Sequence, residues 1–180
     1  MKKTIFQEIE VPAGVESELK GSSLTVKGPE GEITRAFKLG KLDFKKEGNK
    51  IIVGHEKSTK NEKKMTNTIA AHIRNMIKGV QEKFEYELKI CFSHFPITVE
   101  VKGEEAIIKN FLGEKIPRKT KVPKGAEVEV GKDIIKIRSI NKEIAGMAAA
   151  NFEAATKIRN RDRRIFQDGI FMISKAGREI

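Results

Sequence analysis

The arginine-rich stretch between Lys157 and Gly169 contains the residues that best suit a chemical role. Five of its first eight residues are basic, one (Asp162) is acidic, and the run leads into Ile165 and Phe166. A planar guanidinium group can bind two phosphate oxygens at once and can stack on a base. The stretch therefore suits a phosphate-rich partner, although a solvated charged turn would have the same composition. We expect Asp162 to orient the neighbouring guanidinium groups.

The overall charge also indicates a polyanionic partner. The 180 residues carry a formal net charge of +11, and residues 1–80 and 81–180 share it almost equally, at +6 and +5. Arginine is not shared equally, because two of the nine lie in the first part and seven in the second. Nucleic acids and anionic membrane surfaces are the usual partners of such proteins. Ten Phe, one Tyr and no Trp are few aromatic rings for stacking single-stranded bases, so folded RNA fits better.

No set of residues predicts catalysis or metal binding. The three histidines, His55, His72 and His94, are far apart and have no Cys or carboxylate at metal-ligand spacing. A glycine-rich phosphate loop is missing, and nothing near Cys91 marks it as a nucleophile. We therefore predict no catalytic residues, no metal and no cofactor, and a protein that is not an enzyme.

Cysteine content and hydropathy predict a cytoplasmic protein. A single cysteine excludes an internal disulfide framework and suits a reducing compartment. No apolar run approaches the roughly 20 residues of a membrane span, and the N-terminus has no signal-peptide core. We predict no membrane association.

Hydrophobic periodicity predicts an α+β fold in which one unit occurs twice. Apolar residues recur every three or four positions from Asn61 to Val80 and from about Asn141 to Ile158, which predicts two helices. Period-two alternation predicts strands around them, including a long one from Phe84. Three matches link the halves at separations of 75, 74 and 73 residues: VKG at 26 and 101, an Ile-to-Phe segment at 33 and 107, and Leu-Gly at 39 and 112.

Steadily drifting separations indicate a tandem duplication, each copy being a small antiparallel sheet packed against one helix. We predict domains at residues 1–80 and 81–180. The second copy holds two basic clusters, which we expect to flank the same sheet. One lies in a predicted loop, residues 113–121, and just beyond it; the other follows the second helix. Their members are Lys115, Arg118, Lys119, Lys121 and Lys124, and Lys157, Arg159, Arg161, Arg163 and Arg164.

Five motifs in order resemble the L6 family of large-subunit ribosomal proteins, in its archaeal and eukaryotic branch. They are LTVKGPEGEITRAF (24–37), HFPITVEV (94–101), NFLGEKIPR (110–118), ANFEAATKIRNRDRR (150–164) and FQDGIF (166–171). Each is short, but together they span residues 24–171. The family is a tandem duplication of one α+β unit, which agrees with the repeat found in the sequence.

The resemblance implies a structural component of the large ribosomal subunit that binds its rRNA chiefly through the C-terminal domain. It implies a position near the sarcin-ricin loop and the factor-binding region, beside translational GTPases and neighbouring large-subunit proteins, and a role in subunit assembly and translation. The residues it marks for rRNA contact are Arg118, Arg159, Arg161, Arg163 and Arg164, with Lys115, Lys119 and Lys157 as weaker additions.

Other interpretations are a nucleic-acid-processing enzyme, an RNA-binding protein outside the ribosome, and a protein of membrane surfaces. Turnover of an RNA substrate would favour the first, and flotation with liposomes would favour the last. Neither predicted helix pairs a basic polar face with a bulky apolar face of the kind that binds membranes.

Overall fold

Two amphipathic helices organise the structure, and each follows a β-hairpin. The computed structural model describes residues 3–180, which form two units that meet in the sequence between Lys83 and Phe84. Helix α1 spans Lys60–Gln81 and lies in the first unit; helix α2 spans Lys142–Ala155 and lies in the second.

The first unit contains two three-stranded antiparallel sheets. Its strands are β1 Lys3–Glu10, β2 Glu16–Lys20, β3 Ser23–Gly28, β4 Gly31–Ala36, β5 Asp43–Glu47 and β6 Lys50–Ser58. One sheet has the order β1-β6-β5 and the other β2-β3-β4, and α1 contacts strands of both. Leu24, Ile51 and Ile73, one from each sheet and one from the helix, are fully buried. The helix thus closes the core over both sheets.

The second unit contains a three-stranded and a five-stranded antiparallel sheet. Its strands are β7 Phe84–Cys91, β8 Thr98–Lys102, β9 Glu105–Lys109, β10 Arg118–Lys121, β11 Glu127–Val130, β12 Ile134–Ser139, β13 Gly169–Lys175 and β14 Arg178–Glu179. The sheet orders are β8-β9-β10 and β11-β12-β7-β13-β14. Helix α2 is rich in alanine, and its Ala145, Ala148 and Ala149 are fully buried beside Phe152. Small side chains let the helix lie close to the strands.

The two units repeat one order of elements, so the predicted α+β class and tandem duplication are confirmed. In each unit the first strand (β1 or β7) pairs with the last strand before the helix (β6 or β12), and a separate hairpin (β3-β4 or β8-β9) forms between them. Each copy divides its strands between two sheets, where the sequence indicated one. The second copy adds β13, which pairs with the free side of β7.

The helix ends differ from the predicted ones by one to three residues. Helix α1 begins with a capping box between Thr59 and Glu62 and continues through Gly79, because Val80 is fully buried against β3. A Cβ atom on Gly28 would lie 2.7 Å from the Val80 carbonyl oxygen, so only glycine allows this approach. Helix α2 ends three residues before the predicted Ile158, because the backbone leaves the helical conformation at its C-cap, Thr156.

Three short strands were not predicted: β2, β10 and the two-residue β14. Residues 118–121 were expected in a loop, but they form β10 and pair with β9, with Arg118 opposite Ile108. Strand β2 pairs with β3 over Glu16–Lys20. Strand β14 pairs with β13. All three are rich in charged residues and lack the apolar alternation that marks a strand, so only their pairing partners reveal them. The predicted last strand, 170–174, is found as β13.

Candidate nucleic-acid interface

The segment between α2 and β13, residues 157–168, is the arginine loop. It contains neither helix nor strand, and the side chains of its lysine and four arginines are exposed. The backbone N–H groups of Ile165 and Phe166 donate to the Asp162 carbonyl oxygen at 3.1 and 2.9 Å, which forms a tight turn. Asn160 has a φ of 57°, in the left-handed region that asparagine tolerates better than most residues. Local hydrogen bonds thus fix the path of the loop.

The Asp162 carboxylate holds Arg164. It accepts hydrogen bonds from the Arg164 backbone N–H at 2.9 Å and from Nη2 at 2.9 Å. The bond from the Arg164 side chain, followed by the bond from its backbone, lowers the pKa of Asp162. The expectation that Asp162 orients a guanidinium group is confirmed. Within residues 3–180, no carboxylate lies within ion-pairing distance of Arg159 or Arg163, so their charges face solvent.

Both ends of the arginine loop are tied to neighbouring segments, one to the start of β13 and the other to Ser93, two residues beyond the end of β7. Thr156 precedes the loop and is buried; its Oγ1 accepts the Ile170 N–H at 2.9 Å and donates to the Phe152 carbonyl at 3.3 Å. Asp168 at the other end is also buried, and its carboxylate accepts the Ser93 N–H at 3.1 Å and the Ser93 hydroxyl at 2.5 Å. The loop is therefore held at its base.

Arg118 connects this loop to the NFLGEKIPR segment. Its Nε and Nη2 donate to the two Glu114 carboxylate oxygens at 2.8 and 2.6 Å, while Nη1 donates to the carbonyl oxygens of Ala155 at 2.8 Å and Lys157 at 3.4 Å. The guanidinium carbon lies 4.2 Å from the centre of the Phe111 ring. Because four donated bonds and a ring occupy it, the guanidinium of Arg118 is mainly directed inward.

This arrangement completes the C-terminus of α2. The last turn of the helix has no basic residue of its own, so Arg118 supplies the cation that its carbonyl groups favour. The hydrogen bond from Arg118 is the main cause that lowers the pKa of Glu114, and the positive charge of Arg161 lowers it further. Arg161 therefore lies near this ion pair, and its guanidinium also stacks 4.9 Å from the centre of the Phe166 ring.

The alternation of β10 separates Arg118 from its neighbour Lys119. Thr120 donates to the Asn151 carbonyl on α2 at 3.2 Å, so Arg118 and Thr120 face the helix. Lys119 points to the other side, where its Nζ lies 3.7 Å from a Glu105 carboxylate oxygen. Strand pairing, which the sequence pattern did not indicate, causes this division.

The expectation that both basic clusters flank one sheet is wrong. Strand β10 belongs to the three-stranded sheet, whereas the arginine loop leads into the five-stranded one. The structure brings together three predicted residues, Arg118, Lys157 and Arg161. Four more predicted residues are exposed on the arginine loop or on the NFLGEKIPR segment: Arg159, Arg163, Arg164 and Lys115. Lys119 points away from both, toward Glu105.

Sequence reasoning missed the residues that support the loop. Thr156 and Asp168 hold the two ends of the loop, and Glu114 holds Arg118 beside it. Each is a single polar residue among apolar and charged neighbours, so no sequence pattern marks it. The four-residue separation of Glu114 and Arg118 is the one signal that could have indicated their pairing. Neither helix within residues 3–180 has the length and apolarity to cross a membrane.

Comparison with known proteins identifies the family. The model of ribosomal protein L6 matches this chain twice, over residues 11–83 and 95–169, so the two copies seen in the fold are both copies of the family unit. The chain belongs to the ribosomal protein L6 family. The resemblance drawn from the sequence motifs is confirmed.

Three archaeal relatives carry the name large ribosomal subunit protein uL6. The protein of Methanobrevibacter smithii is 47% identical over 95% of this chain and 96% of its own length. The proteins of Methanothrix thermoacetophila and Methanococcus vannielii are 43% and 45% identical, each over 97% of this chain and over 99% and 96% of their own lengths. These relatives are ribosomal proteins, which confirms the prediction that this L6 family member is not an enzyme.

Proposed function

We propose that the protein is a structural component of the large ribosomal subunit in the cytoplasm and binds large-subunit rRNA mainly through its C-terminal domain, residues 81–180. The N-terminal domain, residues 1–80, is the other copy of the duplicated unit. Family membership and relatives named for the large subunit support this role. Its other partners in this proposal are neighbouring proteins of the large subunit.

The observation that carries the proposal is the arginine loop held in a fixed shape. A loop that is tied at Thr156 and Asp168 and braced by Arg118 presents its cations without first having to be ordered. Binding by a loop whose backbone is already held avoids the part of the entropy cost that comes from ordering that backbone. The guanidinium groups can then contact phosphate oxygens in pairs.

The rRNA-contact residues in this proposal fall into two groups. Arg159, Arg161 and Arg163 are exposed and supply the direct contacts, with Arg164, Lys115 and Lys157 contributing charge around them. Lys119, on the other side of β10, would make a separate contact. Arg118 acts in the same site mainly by holding the loop, with its exposed fraction of 28% available for a contact.

The finer placement rests on the family resemblance alone. It puts the protein near the sarcin-ricin loop and the factor-binding region, with translational GTPases as neighbours, and gives it a role in subunit assembly. Crosslinking in the intact ribosome tests this placement. The rRNA positions attached to residues 157–164 should map to that region, and attachment to a distant part of the subunit would contradict it.

Replacement of Arg159, Arg161 and Arg163 together by alanine tests the binding surface. Removing one phosphate interaction should flatten the dependence of log K on log salt by about 0.7 to 0.9, so the slope for the triple variant should be smaller by about 2 to 3. The measurement is titration with protein-free large-subunit rRNA of Methanobrevibacter smithii at several salt concentrations.

A matched control removes the same charge from the first copy. Lys60, Lys63 and Lys64 are exposed on α1, and their replacement by alanine leaves the arginine loop intact. This control should retain most of the affinity. Equal decreases in both triple variants would indicate general attraction to a polyanion and would contradict a C-terminal binding domain.

A further inference from the structure

A groove of about 910 Å³ lies in the second unit beneath the arginine loop. The ends of β7 and α2, the start of β13 and the loop itself form its walls. Its size is within the range of pockets that hold small organic groups. The groove is thus bordered by the same loop that carries the proposed phosphate contacts.

Phenylalanine rings line this groove. Phe92 and Phe171 are 43% and 42% exposed, and Phe166, under the guanidinium of Arg161, is the third ring. Three of the ten phenylalanines thus meet at one place, although the composition alone predicts few rings for bases. The fold creates a stacking surface that the sequence does not show.

Two cations and two carboxylates line the groove. Lys157 and Arg163 line it, whereas its two carboxylates are already used inside the protein. Asp168 accepts two bonds from Ser93, and Glu153 Oε1 accepts the Met172 N–H at 2.9 Å. The groove therefore combines an apolar, aromatic floor with two exposed cations, Lys157 and Arg163, while the protein's own N–H and hydroxyl donors hold its two carboxylates.

We propose that this groove binds an unstacked nucleobase of the rRNA, while Lys157 and Arg163 contact the phosphates beside that nucleotide. RNA recognition commonly places an unpaired base on an aromatic ring and the adjacent backbone on cations. This proposal rests on the proposed function and names a subsite within it. Phosphate contacts position the RNA, and the groove selects a site where one base is free to leave the helix.

Replacement of Phe92 and Phe171 by leucine tests the subsite. Leucine keeps an apolar side chain but removes the ring, and it changes no charge. Since stacking on an aromatic ring contributes about 1 to 3 kcal/mol per base, the affinity for the same rRNA should fall about fivefold to 150-fold. The slope of affinity against salt should stay as in the wild type.

Phe6→Leu is the matched control, because Phe6 is 41% exposed and lies on β1 in the first unit. It should bind as the wild type does. Wild-type affinity in the Phe92 and Phe171 variants, together with weaker binding in the arginine variants, would overturn the subsite and leave the proposed function standing. Failure of the wild type itself to bind would overturn both.

Cys91 gives a second test that needs no substitution. It is the single cysteine of the chain, is partly exposed and lines the groove, so its rate of alkylation by iodoacetamide reports access to that place. Saturation with purified rRNA should slow the reaction several-fold. An unchanged rate would show the groove to be open in the complex, as expected if a neighbouring protein were its occupant, and would overturn the proposal.

Discussion

Helices α1 and α2 occupy equivalent places in the two copies, but the chain leaves them in different ways. After α1 ends at Gln81, two residues lead directly into β7. After α2 ends at Ala155, the chain makes the arginine loop before it returns as β13 on the free side of β7. The second copy has therefore kept the scaffold and added a loop and a strand to it.

The two helix ends are also stabilised from different sources. Helix α1 has Lys78 in its own last turn, so the helix itself supplies a cation near its C-terminal carbonyl groups. Helix α2 has no basic residue there and uses Arg118 from β10, which is also paired with Glu114. Support from a distant residue thus links the loop to the sheet, whereas Lys78 belongs to the helix that it ends.

Arg118→Ala should break this link and have the largest effect on stability. It removes a bidentate ion pair and two bonds to the helix end, and hydrogen bonds to charged groups contribute about 1.5 to 3 kcal/mol. We expect the free energy of unfolding of the second unit to fall by about 2 to 3 kcal/mol, measured by urea denaturation. Arg118→Lys should recover little of it, because an ammonium group cannot bond both carboxylate oxygens in the same plane.

The counterpart in the first copy is Lys78→Ala, which should cost at most about 1 kcal/mol. The salt dependence of rRNA binding distinguishes two possible roles of Arg118, which are holding the loop and contacting a phosphate. If it acts by holding the loop, the alanine variant should bind rRNA more weakly with the salt slope of the wild type. A slope flatter by about one would instead make it a phosphate contact.

Thr156→Val should have the next largest effect, because it tests the tie between α2 and β13. Valine has nearly the shape of threonine but cannot accept the buried Ile170 N–H. An unsatisfied buried donor costs about 1 to 3 kcal/mol, so thermal unfolding should move down by several degrees.

Thr66→Val in α1 is the matched control. Thr66 is fully buried, and its Oγ1 finds no hydrogen-bond partner within residues 3–180. Because an unpaired buried hydroxyl is unfavourable, valine there should leave the stability unchanged or raise it. Equal destabilisation by both substitutions would mean that the Thr156 hydroxyl contributes nothing through its bond to β13.

The contrast between local and distant support also explains what could be predicted from the sequence. Both helices and the long strand β7 follow from apolar periods of 3.6 and 2, which depend on neighbouring residues, and the duplication follows from matches between short segments of two to five residues. The arginine loop was found because five basic residues lie within eight positions. These features are all local in the chain.

What could not be predicted depends on residues far apart in the sequence. Strand β10 exists because β9 pairs with it, and that pairing sends Lys119 away from Arg118. The inward orientation of Arg118 depends on carbonyl groups 37 and 39 residues away. A motif can mark such an arginine as important, but only the fold shows whether it faces the protein or its partner.

The smallest predicted effect concerns pH and compares Glu114 with Glu62. Arg118 lowers the pKa of Glu114, and hydrogen bonds from Thr59 lower that of Glu62. A carboxyl whose pKa is lowered by folding contributes stability above its ordinary value of about 4.3, and this contribution disappears as the pH falls through the lowered value. Glu114→Gln and Glu62→Gln should each reduce the decrease in stability between about pH 5 and pH 3.

The contributions of Glu114 and Glu62 to stability should respond differently to salt. The Glu114 contribution comes from a charged partner with Arg161 nearby, so about 0.5 M NaCl should weaken it. The Glu62 contribution comes mainly from a neutral hydroxyl and a backbone N–H, so it should respond less. Urea denaturation at pH 3, 4, 5 and 7, with and without salt, measures both. Equal salt responses would mean that the Arg118 charge contributes no more at the end of α2 than a neutral cap does at the start of α1.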